Sequence, residues 1–350
     1  MARILITGGA GFIGSNAARL FHSLGNEIIV IDNLSRAQLL NTETRNYNWD
    51  QLSNIEGITC IKEDVRNFSA LKSIFRTHSP DFIIHAAGQT AVTKSLQDPK
   101  TDFEINLIGT FNVLEAARQT DLCPIIIYCS TNKVFGESPN YLPLIEQKTR
   151  YTFADSSFSG FNFDTGIDNT SHSPYGASKL CGDLYVQEYG KTYGFLTGVF
   201  RMSCIYGINQ FGLEDQGWIS HFIISMLNNL NINIYGNGKQ VRDVLYIDDL
   251  LSAYQSYFEK ARQLGSKVYT MGGGKQNSLS IIECINYLRT KFNYSGKILY
   301  HSWRAVDQKI YISDISKASS ELNWKPKITS FEGIDKLVEW TLQHREIFAK

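Results

Sequence analysis

The chain reads as an α/β protein, a doubly wound parallel sheet with a smaller C-terminal substrate lobe. Three observations predict this. Short β-rich apolar runs alternate with helical patterns through the first 200 residues, the first run opens directly into a glycine-rich turn and a helix, and Asp32 ends the second run. At 350 residues the chain has room for one large α/β unit or two domains. A composition 43% hydrophobic and only 19% charged excludes a disordered chain. Lys plus Arg equals Asp plus Glu at 34 each, so no net field draws in nucleic acid or an anionic membrane, and neither is expected as a partner.

The elements follow in order. Strands are expected at 3–7, 27–32, 58–61, 81–85, 124–130 and 197–201, each a run of β-branched and aliphatic residues. Helices are expected at 12–24, 68–77, 100–120 and 175–193, where apolar residues recur at three-and-four spacing. From 137 to 173 the period fades into a polar, aromatic insertion of the length that usually serves function. Beyond Tyr206 glycine clusters interrupt the pattern. The expected division is a nucleotide-binding domain at 1–200, with 235–265 returning to it, and a substrate lobe at 201–234 and 266–350. The six cysteines form no C-x-x-C pair and read as reduced thiols, so a cytoplasmic protein is expected. No apolar run is long enough to span a membrane, and the seven histidines show no zinc spacing, so no metal is expected.

Strand 3–7 runs into Gly8-Gly9-Ala10-Gly11-Phe12-Ile13-Gly14, a G-x-x-G-x-x-G turn opening a helix whose N–H groups and dipole suit a pyrophosphate. Asp32 ends the next strand, where a carboxylate accepts the hydroxyls of an adenosine ribose and repels a 2′-phosphate. NAD is therefore expected over NADP, although Arg36 stands four residues on. Asp64 and Val65, past the third strand, are placed to meet the adenine. Ser173-Pro174 starts a helix that carries Tyr175 and Lys179 on one face. An ammonium near a phenol favours phenolate, so Lys179 is expected to lower the Tyr175 pKa and make it a base for a sugar hydroxyl. Thr131, at the end of strand 124–130, is the better candidate than Ser130 to hold the substrate oxygen.

The glycine cradle, the Thr131 hydroxyl and the Tyr175/Lys179 pair together resemble the extended short-chain dehydrogenase/reductase family over nearly the whole chain, which implies a Rossmann-like fold. Asp32-Asn33-Leu34-Ser35-Arg36, Ser130-Thr131-Asn132-Lys133-Val134, Thr149-Arg150-Tyr151-Thr152, Asp215-Gln216-Gly217-Trp218 and Gly236-Asn237-Gly238-Lys239-Gln240-Val241-Arg242-Asp243 resemble the branch that epimerises CDP-linked sugars at C2. That resemblance implies an NAD-dependent nucleotide-sugar epimerase that turns CDP-paratose into CDP-tyvelose through a 2-keto sugar, for surface polysaccharide. It implies Thr131, Tyr175 and Lys179 as the catalytic trio. Asn33, Ser35, Ala86, Ala87 and Gln89 join the cofactor site, while Gln89, Asn132, Ser203, Arg242 and Arg304 join the substrate site, the two arginines as diphosphate clamps. Asn106 matches a position on the helix behind the site. A homodimer or homotetramer is implied, paired through helices 100–120 and 175–193.

Two departures stand out: Phe135 replaces a tyrosine common in relatives, and Arg304-Ala305-Val306-Asp307 lacks the usual Pro-Gly. Sugar-nucleotide dehydratases of this family place an Asp-Glu pair directly after the active-site threonine; Asn132-Lys133 cannot supply that acid and base. The readings left open are a UDP-hexose 4-epimerase, a C2 epimerase of CDP-glucose or UDP-glucose, and a non-catalytic NAD-binding regulator.

Overall fold

The computed structural model describes residues 1–39 and 46–348. They fall into two compact units, one of residues 1–39, 46–134, 173–201 and 251–269, the other of residues 135–172, 202–250 and 270–348.

The first unit is built on a seven-stranded sheet. From one edge its strands are Lys267–Met271, Leu196–Met202, Ile125–Thr131, Phe82–His85, Arg3–Thr7, Glu27–Asp32 and Ile58–Lys62. Arg3–Thr7 pairs in parallel with both Glu27–Asp32 and Phe82–His85, and the order reverses on either side of it. Such a reversal leaves a crevice at the carboxyl ends of the strands, where α/β proteins bind ligands. The inner strands are buried on both faces, as the runs Ile4–Leu5–Ile6 and Ile28–Ile29–Val30–Ile31 require, while the edge strand Ile58–Lys62 is part-exposed. Phe21, Phe82 and Phe258 pack together on one side; Leu71, Phe75, Val113, Tyr189 and Val199 belong to a second cluster.

Strand Lys267–Met271 lies within the segment assigned to the substrate lobe, yet Tyr269 and Met271 are fully buried and the strand completes the sheet. Residues 135–172, which hold nearly all of the insertion expected at 137–173, differ from expectation in the other direction. They pack in the second unit, where Phe161 donates its N–H to Ile312 O and Gln308 Nε2 donates to Gly136 O. Residues 235–250 also lie there, because Val241–Tyr246 pairs with Cys204–Tyr206, Ser278–Ser280 and Ile310–Tyr311. The helix expected at 100–120 is broken: helix Pro99–Phe103 passes through a π turn, Glu104–Ile108, into helix Gly109–Arg118. No helix among the described residues is long and apolar enough to cross a membrane.

Candidate active site

The glycine turn is shaped by close approaches. Gly8 has φ +71°, and a Cβ there would lie 2.6 Å from the Ala87 nitrogen; one on Gly14 would lie 2.3 Å from the Gly8 oxygen. Gly11 differs: its φ is −72°, and an added Cβ would meet only the Gly8 oxygen, at 3.0 Å. Its missing side chain therefore keeps the cradle open. Among the described residues no side chain caps the helix Phe12–Ser23, so the N–H groups of its first turn suit an anion. Asp32 is drawn over this loop, accepting from Ala10 N at 3.0 Å and Leu34 N at 2.8 Å. Burial raises its pKa against those two bonds, and each oxygen keeps a lone pair for a ribose hydroxyl.

Asn33 donates to Asp64 at 2.8 Å and accepts from Ser35 N at 3.0 Å, so these three predicted residues meet beside Asp32. Arg66 also binds Asp64, and with Asn33 it holds the carboxyl down at about 2 against partial burial. Val65 is buried against Gly109. Arg36 opens the short helix Arg36–Leu39, its guanidinium pKa lowered by burial. Ala86 donates its N–H to Thr7 O, and Ala87 its own to Thr7 Oγ1. A dinucleotide fits this cradle: open glycine backbone, uncapped helix donors and a carboxylate at the adjoining strand end.

Ser173–Tyr193 is the helix that carries the pair. Ser173 caps it by accepting from Gly176 N at 3.2 Å. Gly182 lets it lie close on strand Ile125–Thr131, since a Cβ there would sit 2.5 Å from the Tyr128 hydroxyl. Lys179 Nζ consequently stands 4.1 Å over the Tyr128 ring. Burial lowers the Lys179 pKa from 10.5 to about 8, against Cys129, Asp183 and Asp102. Burial pushes the Tyr175 pKa up to about 12, although the neighbouring Thr131 hydroxyl lowers it. That corrects the expected sign: in the protein alone desolvation outweighs any help from the lysine, whose charge faces an aromatic ring. Ser130 donates to Asp183 at 2.6 Å inside a buried ion pair with Arg201, which leaves Thr131 as the hydroxyl beside the phenol. Asn132 is buried next to it, its Oδ1 3.3 Å from the Thr131 hydroxyl.

Gln89 is placed otherwise than expected. Its Nε2 donates to Ala91 O at 3.0 Å and Asp102 Oδ1 at 2.7 Å, and its Oε1 accepts from Ala91 N. Both amide hydrogens are engaged within the chain, so Gln89 braces the site from behind. Asn106, on the π turn, clamps the Gln89 backbone with bonds of 2.9 and 3.0 Å. Three further residues went unread. Asp102 and Ser178 join Gln89 and Asn106, and His85 joins Thr7 at 2.6 Å and Thr110 at 3.0 Å. Asp102 lies four residues before Asn106, a spacing that puts both on one helical face and was the available signal.

The second unit holds the other predicted residues. Ser203 donates to Asp243 O at 2.9 Å. Arg242 bonds Asp307 at 2.7 Å; Arg304 bonds Asp215 at 2.7 Å and lies 4.0 Å over the Tyr235 ring. Both guanidiniums are thus oriented by carboxylates. Val306, between Arg304 and Asp307, has φ +59°, a conformation that glycine adopts freely and a β-branched residue holds at about 1–3 kcal/mol of strain.

Residues 4–272 match the NAD dependent epimerase/dehydratase family. The chain is 39% identical over 344 residues to the CDP-paratose 2-epimerase of Salmonella typhi, covering 97% of this chain and 99% of that one. It is 30% identical to the UDP-glucuronate 4-epimerase of Thermodesulfobacterium geofontis, covering 99% and 98%. Among solved structures, the UDP-glucose 4-epimerase of Thermus thermophilus in complex with NAD is 26% identical, with a TM-score of 0.76 over 97% of this chain and 98% of that one. With the fold, the cradle and these matches in agreement, the chain belongs to the NAD dependent epimerase/dehydratase family and is an isomerase that uses NAD.

Proposed function

We propose that this enzyme inverts C2 of a CDP-linked 3,6-dideoxyhexose, turning CDP-paratose into CDP-tyvelose. The observation that carries the reading is the buried trio: the Tyr175 phenol beside the Thr131 hydroxyl, with Lys179 one helical turn on. Identity to the CDP-paratose 2-epimerase supports the substrate and the carbon. When bound, NAD supplies the hydride acceptor and donor and, oxidised, a positive charge near the phenol. Tyr175 takes the proton from the C2 hydroxyl and returns it once the sugar has presented its other face. Thr131 donates to that oxygen and shares its developing charge. Lys179, cationic at neutral pH, is assigned with the oxidised cofactor's charge to offset the burial that raises the Tyr175 pKa. Asn132 lacks the titratable proton that dehydration needs. Arg242 and Arg304 are assigned to the diphosphate, with donor forks suited to its oxygens.

The proposal includes a cytoplasmic homodimer or homotetramer. Phe103, Phe111, Leu184 and Tyr185 are exposed on Pro99–Phe103, Gly109–Arg118 and Ser173–Tyr193, with Phe111 and Tyr185 edge to face. A self-complementary apolar face of this kind suits a twofold pair.

The test is a panel of CDP- and UDP-sugars in deuterated water. CDP-tyvelose formed from CDP-paratose without deuterium at C2 is expected. Turnover of UDP-hexoses alone would move the reading to C4, solvent deuterium at C2 would replace hydride return by deprotonation, and NAD binding without turnover of any sugar would favour a regulator.

A further inference from the structure

Behind the trio lies a polar cluster that the proposed chemistry does not use. The Asp102 carboxylate, 1% exposed, accepts from three uncharged donors: Gln89 Nε2 at 2.7 Å, Asn106 Nδ2 at 3.1 Å and Ser178 Oγ at 2.5 Å. Ser178 sits in the turn between Tyr175 and Lys179, with its hydroxyl 3.1 Å from the Tyr175 carbonyl. Gln89 lies just past strand Phe82–His85 and Asn106 on the π turn, so one carboxylate ties these two segments to the helix that carries the pair.

Burial raises the Asp102 pKa, while these three bonds and the Lys179 charge lower it and favour the carboxylate; an anion held only by neutral donors keeps its field. Several groups face Lys179. Strand Ile125–Thr131 presents the Tyr128 ring and Cys129, the helix itself presents Asp183, strand Phe82–His85 presents His85, and helix Pro99–Phe103 presents Asp102. Cys129 is a neutral thiol at neutral pH, since burial pushes it up to about 11. His85 is likewise neutral, and Asp183 is paired with Arg201 at 3.0 Å. Among these groups Asp102 is the anion with no guanidinium against it.

We infer that Asp102 is a positioning residue: through Ser178, Gln89 and Asn106 it holds the Tyr175–Lys179 turn in its working geometry, and through its charge it keeps Lys179 an ammonium. This rests on the catalytic reading of Tyr175 and Lys179 given above. A carboxylate suits the place because it accepts at both oxygens; an asparagine accepts at one and turns its own N–H groups toward donors.

Two variants separate the two parts. Asp102→Asn removes the charge: the alkaline limb of the kcat profile should move down by about one pH unit, KM should change less than twofold, and the 15N titration of Lys179 in lysine-labelled, NAD-bound protein should fall with it. An unmoved limb and an unmoved Lys179 titration would overturn the electrostatic part. Ser178→Ala keeps the charge and removes the link: kcat should fall about tenfold with the limb unmoved, and a wild-type kcat would overturn the positioning part. If Asp102→Asn does not fold, Asp102→Glu, which keeps the charge on a longer stem, should lower kcat and leave the Lys179 titration in place; a shifted titration there would count against the proposal. The NMR titration reads Lys179 whether or not a nucleotide sugar turns over, so failure of the proposed function shows separately, as absent turnover in wild type.

Discussion

Replacing Lys179 by methionine should make the protein more stable while stopping turnover. Methionine has a similar length and no charge, so the change removes mainly the burial of an ammonium. The Lys179 pKa falls from 10.5 to about 8 in the fold, and a shift of that size corresponds to about 3 kcal/mol held against the folded state at neutral pH. The variant also loses the contact with the Tyr128 ring, worth about 1–2 kcal/mol when desolvated. A net gain of about 1–2 kcal/mol remains, or a rise of roughly 0.5 M in the urea midpoint at a slope of about 3 kcal/mol/M. The pH dependence carries the test. Below pH 8 the lysine is protonated in both states and the full penalty stands. Between about 8 and 10.5 the folded chain releases its proton while the unfolded chain keeps its own, so wild-type stability rises with pH through that window. The methionine variant lacks this proton. Urea unfolding of both proteins, followed by tryptophan fluorescence, should show a gap near pH 7 that has mostly closed by pH 10. An equal gap at both values would refute a lysine held at a depressed pKa.

Tyr175→Phe should lower kcat by at least about a hundredfold and leave NAD bound, as read from absorbance of the purified protein; near-normal turnover would remove the phenol from its role. Gly11→Ala should fold, because its φ of −72° suits alanine, yet bind NAD at least about tenfold more weakly by calorimetry. Unchanged affinity would mean that the cradle does not face the cofactor at this point. Phe111→Glu should reduce the mass measured by light scattering to that of one chain, and an unchanged oligomer would place the pairing face elsewhere.

Much of this was legible because it is local. Runs such as Ile28–Ile29–Val30–Ile31 admit few alternatives to a buried strand, and strands Arg3–Thr7 and Glu27–Asp32 fall where their β-branched residues put them. Ser173-Pro174 marks the start of its helix for the same kind of reason. The strand Lys267–Met271 was harder to read. Its five residues are bounded by Gly265 and Gly272, and only the sheet edge it completes marks it as a strand of the first unit. The polar cluster was harder still, since Asp102, Gln89 and Ser178 are far apart along the chain and each alone resembles an ordinary surface side chain. The sign of the Tyr175 shift depended on burial, which no four-residue spacing reports. At Val306 the chain takes a glycine-like conformation without glycine, a feature that composition alone would argue against.

His85 has a role beyond filling space. Because Thr7 Oγ1 accepts from Ala87 N and Thr110 donates to Asn106 O, the imidazole must accept at Nδ1 and donate at Nε2. The bonds therefore run in one direction, from the rim of the glycine turn to the carbonyl of the π turn. Burial, with Lys179 nearby, drops the ring to about 3, so it stays uncharged through mild acid. Here the residue best known as a proton sensor serves as a fixed spacer, and an enzyme wired this way can meet an acidifying environment without its nucleotide grip loosening at that joint.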